Sequence, residues 1–89
     1  SKNTLSGDYS IAIGHHDNTV SGNYSIGIGT ATNIASGNHS LAQADGNQAI
    51  GDYSIAIGNG QNEALEDFSI AIGNATNRAS KQYSIALGK

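Results

Sequence analysis

Tyr53-Ser54-Ile55-Ala56-Ile57-Gly58 is the stretch whose reading decides the fold. An aromatic residue is followed by small, large, small, large and then glycine. The same grammar recurs at Tyr9 to Gly14, Tyr24 to Gly29, His39 to Ala44, Phe68 to Gly73 and Tyr83 to Gly88, giving six copies. The serines fall at 10, 25, 40, 54, 69 and 84, so the steps are 15, 15, 14, 15 and 15 residues. A fixed period of this length marks a repeat architecture. Alternation of β-branched and small residues over this span predicts a half-buried β-strand. The closing glycine is where a left-handed backbone is cheap, so it reads as the turn that ends the strand. One strand per 15 residues, with no room for a helix between, predicts an all-β solenoid.

Working outward, a second half-repeat lies between the strand motifs. Asparagine recurs at 3, 18, 33, 47, 62 and 77, followed two residues later by Leu5, Val20, Ala35, Ala49, Ala64 and Ala79. This half predicts a second short strand, with the asparagines stacked as a ladder at the turn, where Asn tolerates unusual backbone angles. Two strands per coil make a flat β-roll of 14–15-residue coils. The chain begins in the second half of a repeat and stops just after a strand motif, so residues 1–89 are expected to be a single segment of a longer array. The third repeat is irregular: His39 replaces the aromatic, Gln43 the second isoleucine and Ala44 the glycine, and its Asp45-Gly46 turn is one residue shorter.

Alternate residues of a strand point to opposite faces. Ile55 and Ile57 share one face with Tyr53, and Ser54 and Ala56 share the other. The expectation is that Ile11, Ile13, Val20, Ile26, Ile28, Ile55, Ile57, Ile70, Ile72, Ile85 and Leu87 fill the roll core. The second motif slot holds only Ala12, Gly27, Ala42, Ala56, Ala71 and Ala86, a restriction that points to close packing against another subunit. The reverse assignment, with the isoleucines at the subunit interface, is the alternative. On the first assignment Gln43 occupies a core slot, where an unpaired amide is costly, so either a weak point or a buried hydrogen bond is expected there.

Composition bounds the function. At 89 residues the chain is at most one domain, and one this short often needs partners to bury enough surface. Charged residues make up 12% and the net charge is −3, with Lys2, Arg78, Lys81 and Lys89 toward the ends. Nucleic acid and acidic membrane surfaces both demand clustered Lys and Arg, so neither is an expected partner. The absence of cysteine rules out disulfides and thiolate metal sites. No apolar run is long enough for a transmembrane helix, and direct membrane contact by this segment is not expected.

Six copies of a Ser-Ile-Ala-Ile-Gly-type strand at 14–15-residue steps, with an Asn-x-Ala half between, resemble the head repeats of trimeric autotransporter adhesins, the YadA-like heads. The resemblance covers essentially the whole chain. It implies a left-handed parallel β-roll, a homotrimer around one axis, and display on the extracellular face of the bacterial outer membrane. It further implies attachment to host cells, extracellular-matrix molecules or other bacteria. In the collagen-binding member the strand motif is linked to binding, which carries over to Ser54, Ile55, Ala56, Ile57 and Gly58, positions whose alternation reads as structural. Two departures stand out: the aromatic before Ser is not the family's usual residue, and the 15-residue step exceeds the commonest 14.

Other readings are weaker. His15-His16-Asp17 offers metal-ligand types but occurs once, in a variable turn, and reads as a solvated loop. Asp8, Asp17, Asp45, Asp52 and Asp67 are not expected to recur at one turn slot, and the Gly-Gly-x-Gly-x-Asp calcium repeat is missing. The Gly58-Asn59-Gly60 and Gly27-Ile28-Gly29 runs lack the third glycine of a nucleotide loop. No acid, base and nucleophile converge, so no catalytic residue, metal or cofactor is expected. A phage or other trimeric fibre segment is the closest rival, and an ice-binding solenoid is a poorer one because Thr30-Ala31-Thr32 does not repeat. Ligand choice is expected to lie in variable turns such as His15 to Asp17 and Asn59 to Gln61.

Overall fold

The computed structural model describes residues 3–88; Lys2 and Lys89 lie outside it. Each coil contributes one two-residue strand and one of four to six residues. In chain order these are β1 (Thr4–Leu5) and β2 (Ile11–His16), β3 (Thr19–Val20) and β4 (Ile26–Ala31), and β5 (Ile34–Ala35) and β6 (Leu41–Asp45). The remaining coils supply β7 (Gln48–Ala49) and β8 (Ile55–Asn59), β9 (Glu63–Ala64) and β10 (Ile70–Gly73), and β11 (Arg78–Ala79) and β12 (Ile85–Gly88). The short strands form one six-stranded parallel sheet in the order β1-β3-β5-β7-β9-β11, and the long strands form another in the order β12-β10-β8-β6-β4-β2. Equivalent residues pair coil to coil, as in Ile70↔Ile55 and Ala71↔Ala56, so the repeat period is the sheet register. The 14-residue step is absorbed beyond Gly29, where the β4–β6 register shifts.

The inside of this roll is lined by small side chains. Val20, Ala35, Ala42, Ala49, Ala56, Ala64 and Ala71 are completely buried and Ala79 is nearly so, with Ala12 and Ala86 packed against them at the ends. The expected orientation of the long strands is therefore reversed. Ile26, Ile28, Ile55, Ile57, Ile70 and Ile72 are half-buried on the outer face, and Ile11, Ile13, Ile85 and Leu87 are exposed. Of the residues assigned to the roll core, Val20 alone lies inside it. Ala12, Gly27, Ala42, Ala56, Ala71 and Ala86, assigned to a subunit interface, point into their own roll instead. The reason is depth: the Cα trace spans only 11 Å along its thinnest direction. Inside the roll the space is already filled, since a Cβ built on Gly27 would lie 2.6 Å from Val20 Cγ2. A roll this thin has room for methyl groups and hydroxyls but not for two facing layers of isoleucine. Gln43 follows its slot outward and is exposed, so it is neither a core weak point nor a buried hydrogen bond.

Polar groups close the two edges of the roll. Asn18, Asn33, Asn47 and Asn62 are fully buried. Each asparagine Oδ1 accepts both the backbone N–H and the side-chain amide of its equivalent in the next coil. Asn62 N and Nδ2, for example, donate to Asn47 Oδ1 at 3.1 and 2.8 Å. The same Nδ2 atoms also donate to the turn carbonyl of the following coil, as in Asn62 Nδ2 to Gly73 O at 2.9 Å. At the opposite edge, Ser25, Ser40 and Ser54 donate to the glycine carbonyls three residues back, at 2.5–2.6 Å. Among the described residues no buried side-chain nitrogen or oxygen lacks a partner. A core with little apolar bulk is thus held by fully paired polar ladders, which is what such burial requires.

Candidate interaction surface

The outer face of the long-strand sheet presents two columns of side chains. One runs through Ile11, Ile26, Leu41, Ile55, Ile70 and Ile85, and the second through Ile13, Ile28, Gln43, Ile57, Ile72 and Leu87. Neither column contains a charged residue. Large apolar groups that would ordinarily form a core are here arrayed on one flat, regular face, and contiguous exposure of this kind marks an interaction site.

Beside this face runs a continuous stack of rings. Tyr9, Tyr24, His39, Tyr53, Phe68 and Tyr83 lie ring on ring with centroid separations of 4.7–5.3 Å and interplanar angles of 1–12°. Every one of the six has a left-handed backbone, with φ between 54° and 60°. Such a conformation costs an L-residue with a bulky side chain roughly 1–2 kcal/mol. Each offset ring contact contributes roughly 0.5–1.5 kcal/mol beyond area burial. Six rings share five contacts, so stacking offsets part of the strain and not all of it. The left-handed residue expected at the closing glycine is present, with Gly58 at φ 136°, and a second, not expected from the alternation, lies at the aromatic. In five of the six copies the ring directly follows an Asx residue, with Gln82 before Tyr83, and a ring fixed at that slot is turn chemistry, not strand chemistry.

That preceding slot forms a ladder of its own. Asp8, Asn23, Asn38 and Asp52 each donate a backbone N–H to the side-chain oxygen of the equivalent residue one coil on, at 2.9–3.0 Å. Asp67 ends this run as an acceptor. Three of the five aspartates therefore do share a turn slot, with asparagine filling it in between; Asp17 and Asp45 do not. On the outer side of the short-strand sheet, Arg78 Nε lies 2.7 Å from Glu63 Oε1 in a directly paired position. Its Arg78 side chain is 60% exposed, so solvent screening leaves this pair little energetic weight.

The shortened turn of the third coil opens a notch. Ala31, Thr32, Asp45, Gly46, Gln48, Gly60 and Gln61 surround an open cavity of about 380 Å³. Asn59 to Gln61 contributes Gly60 and Gln61 to it, with Asn59 itself the last residue of β8; His15 and His16, expected in a loop, instead end β2 as exposed strand residues, and they do not line the notch. His15 and His16 meet edge to face at 4.1 Å. Among the described residues no group of three or more His, Cys, Asp or Glu side chains converges as metal ligands would.

The roll and its outer columns define a class of protein: a repeat solenoid with polar ladders inside and an apolar sheet face turned outward. The chain belongs to the family of the YadA head domain repeat, whose model matches residues 6–16, 34–60 and 49–76, more than half of the sequence. It is thus a head repeat of the type carried by trimeric autotransporter adhesins. No curated protein and no solved structure matches the chain significantly.

Proposed function

We propose that this chain is part of a non-enzymatic adhesin head that works as a homotrimer, with the isoleucine face of each roll turned toward the shared axis. The observation that carries this reading is the inversion of the roll, with alanine inside and the isoleucine and leucine columns outside. Fully burying one such side chain contributes roughly 1.5–3 kcal/mol, and none of the eleven isoleucines and leucines in these columns is fully buried in the single chain. Covering that face with copies of itself recovers what the roll cannot bury alone. Trimerisation also fits the family, as does location on the extracellular face of the bacterial outer membrane.

The adhesive surface is then what the assembly leaves outside: turns, ring edges and the short-strand sheet, presented as rows at about 4.8 Å spacing. Such rows suit a large partner, a host-cell or extracellular-matrix molecule or another bacterium, held by many shallow polar contacts. Three chains triple each row, so weak contacts sum by effective concentration. The notch beside Asp45 and Gln61 interrupts these rows and offers a ligand group an open seat. Sedimentation of the purified chain tests the assembly, and adhesion of trimer-coated beads to matrix-coated surfaces tests the role. A folded monomer at micromolar concentration would overturn the first, and beads that bind no better than uncoated ones the second.

A further inference from the structure

We propose that Gln43 sets the register in which copies of this chain align. The inference rests on the trimer reading above, and the experiment below separates its failure from that of the trimer. The isoleucine face repeats from coil to coil, so its pattern carries almost no information about how far one chain has slid along another. A slip of one coil, about 4.8 Å, again brings isoleucine level with isoleucine over nearly the whole face. Association driven by area alone is nearly blind to such a slip, because the hydrophobic effect is non-directional.

Gln43 breaks the degeneracy. It stands in the outer column directly between Ile28 and Ile57, paired in register with both, and it is the one polar side chain in either column. Among the described residues its carboxamide makes no hydrogen bond; the backbone carbonyl of Gln43, by contrast, accepts from Asn47 Nδ2 at 2.7 Å. Covered by partner chains, that amide must find its partners there or be left unsatisfied. A carboxamide carries two N–H donors and an acceptor oxygen. Three of them level around an axis can close a ring in which each donates to the next. When one chain slips, its Gln43 meets the partner's Ile28 or Ile57 instead, and all three amides lose the ring. A single polar residue in an otherwise apolar, periodic interface fixes register in coiled coils by the same logic, at a cost in stability.

The test uses chain mixing. A variant with the polar row moved one coil, Gln43→Ile with Ile28→Gln, keeps the composition of the face unchanged. It is co-refolded with the unaltered chain, one of the two carrying a small mass tag, and the products are read by native mass spectrometry. Tagged and untagged copies of the unaltered chain should mix in the binomial pattern. The shifted variant should trimerise with itself; a mixed trimer must either lose the amide ring or slip one coil and leave an end coil of the face uncovered, so mixed trimers with the unaltered chain should fall several-fold below that pattern. Gln43→Ile alone should raise the melting temperature of the assembly. If the shifted variant fails to fold, Gln43→Ile with Ile57→Gln replaces it. Binomial mixing of shifted and unaltered chains overturns the proposal while leaving the trimer intact. Monomers throughout overturn the trimer and the proposal with it.

Discussion

Gly27 and Val20 face each other across the inside of the roll, and a Cβ built on Gly27 would lie 2.6 Å from Val20 Cγ2. The equivalent pairs in the next three coils are Ala35 with Ala42, Ala49 with Ala56, and Ala64 with Ala71, all fully buried. The second coil thus fills the same thin space with one larger and one smaller residue. Gly27→Ala should cost about 1–3 kcal/mol as overpacking. Val20→Ala should cost about 1–3 kcal/mol through lost burial and an unfilled void. The double variant recreates the alanine pair of the other coils and should return to within about 1 kcal/mol of the parent, a coupling of the size expected for contacting residues. Thermal or denaturant unfolding of the four proteins measures this, and strictly additive losses would show that the two side chains do not share the space.

The two faces of β8 should respond differently to substitution. Ala56→Leu places a large side chain in a core that has no room for it, so the roll itself should fail, seen as loss of the β circular dichroism signal. Ile57→Glu leaves the interior intact and places a charge on the outer column. It should abolish assembly by sedimentation far more strongly than Asn59→Glu at the exposed end of β8. If Ile57→Glu and Asn59→Glu assemble equally well, the isoleucine face is not the interface.

Breaking the asparagine ladder should be costly out of proportion to the atoms removed. Asn62→Ala strips Asn77 N and Nδ2 of their shared acceptor and leaves Asn47 Oδ1 and Gly73 O without a side-chain donor. Each buried group left unpaired costs about 1–3 kcal/mol. Asn59→Ala, at the exposed end of β8, should stay within about 0.5 kcal/mol of the parent. Comparable melting temperatures for the two variants would show that the ladder carries no weight.

Tyr53 has φ 59° and stacks on His39 and Phe68 at 4.7 and 5.2 Å. Tyr53→Val should be strongly damaging, since it loses both ring contacts and puts a β-branched residue in the left-handed region. Tyr53→Asn loses the same contacts but tolerates the backbone, so it should be more stable than the valine variant by about 1–2 kcal/mol. Equal stability would mean that the backbone strain is relieved by a shift of the turn.

Adhesion should depend on valency and not on metal. Beads bearing many trimers should retain binding through washes that remove single trimers. Binding should be unchanged by EDTA, and its complete loss with chelator would promote His15, His16 and Asp17 to a site.

Much of this was legible in the residues. The 15-residue period, the alternation in Tyr53 to Gly58 and the recurring asparagine specify a two-sheet parallel roll, because each is a local rule repeated in register. The asparagine ladder follows from the same periodicity, since equivalent residues of stacked coils must lie about 4.8 Å apart. Alternation divides Ile55 and Ile57 from Ser54 and Ala56, but it is symmetrical and says nothing about which set faces in. That choice belongs to the tertiary structure. With two-residue strands closing each coil, the sheets approach too closely for isoleucine, so alanine, serine and asparagine go inside and the large side chains go out. The stacked rings were equally out of reach of alternation, because Tyr53 leaves the strand in a left-handed turn and its direction is set by the rings above and below.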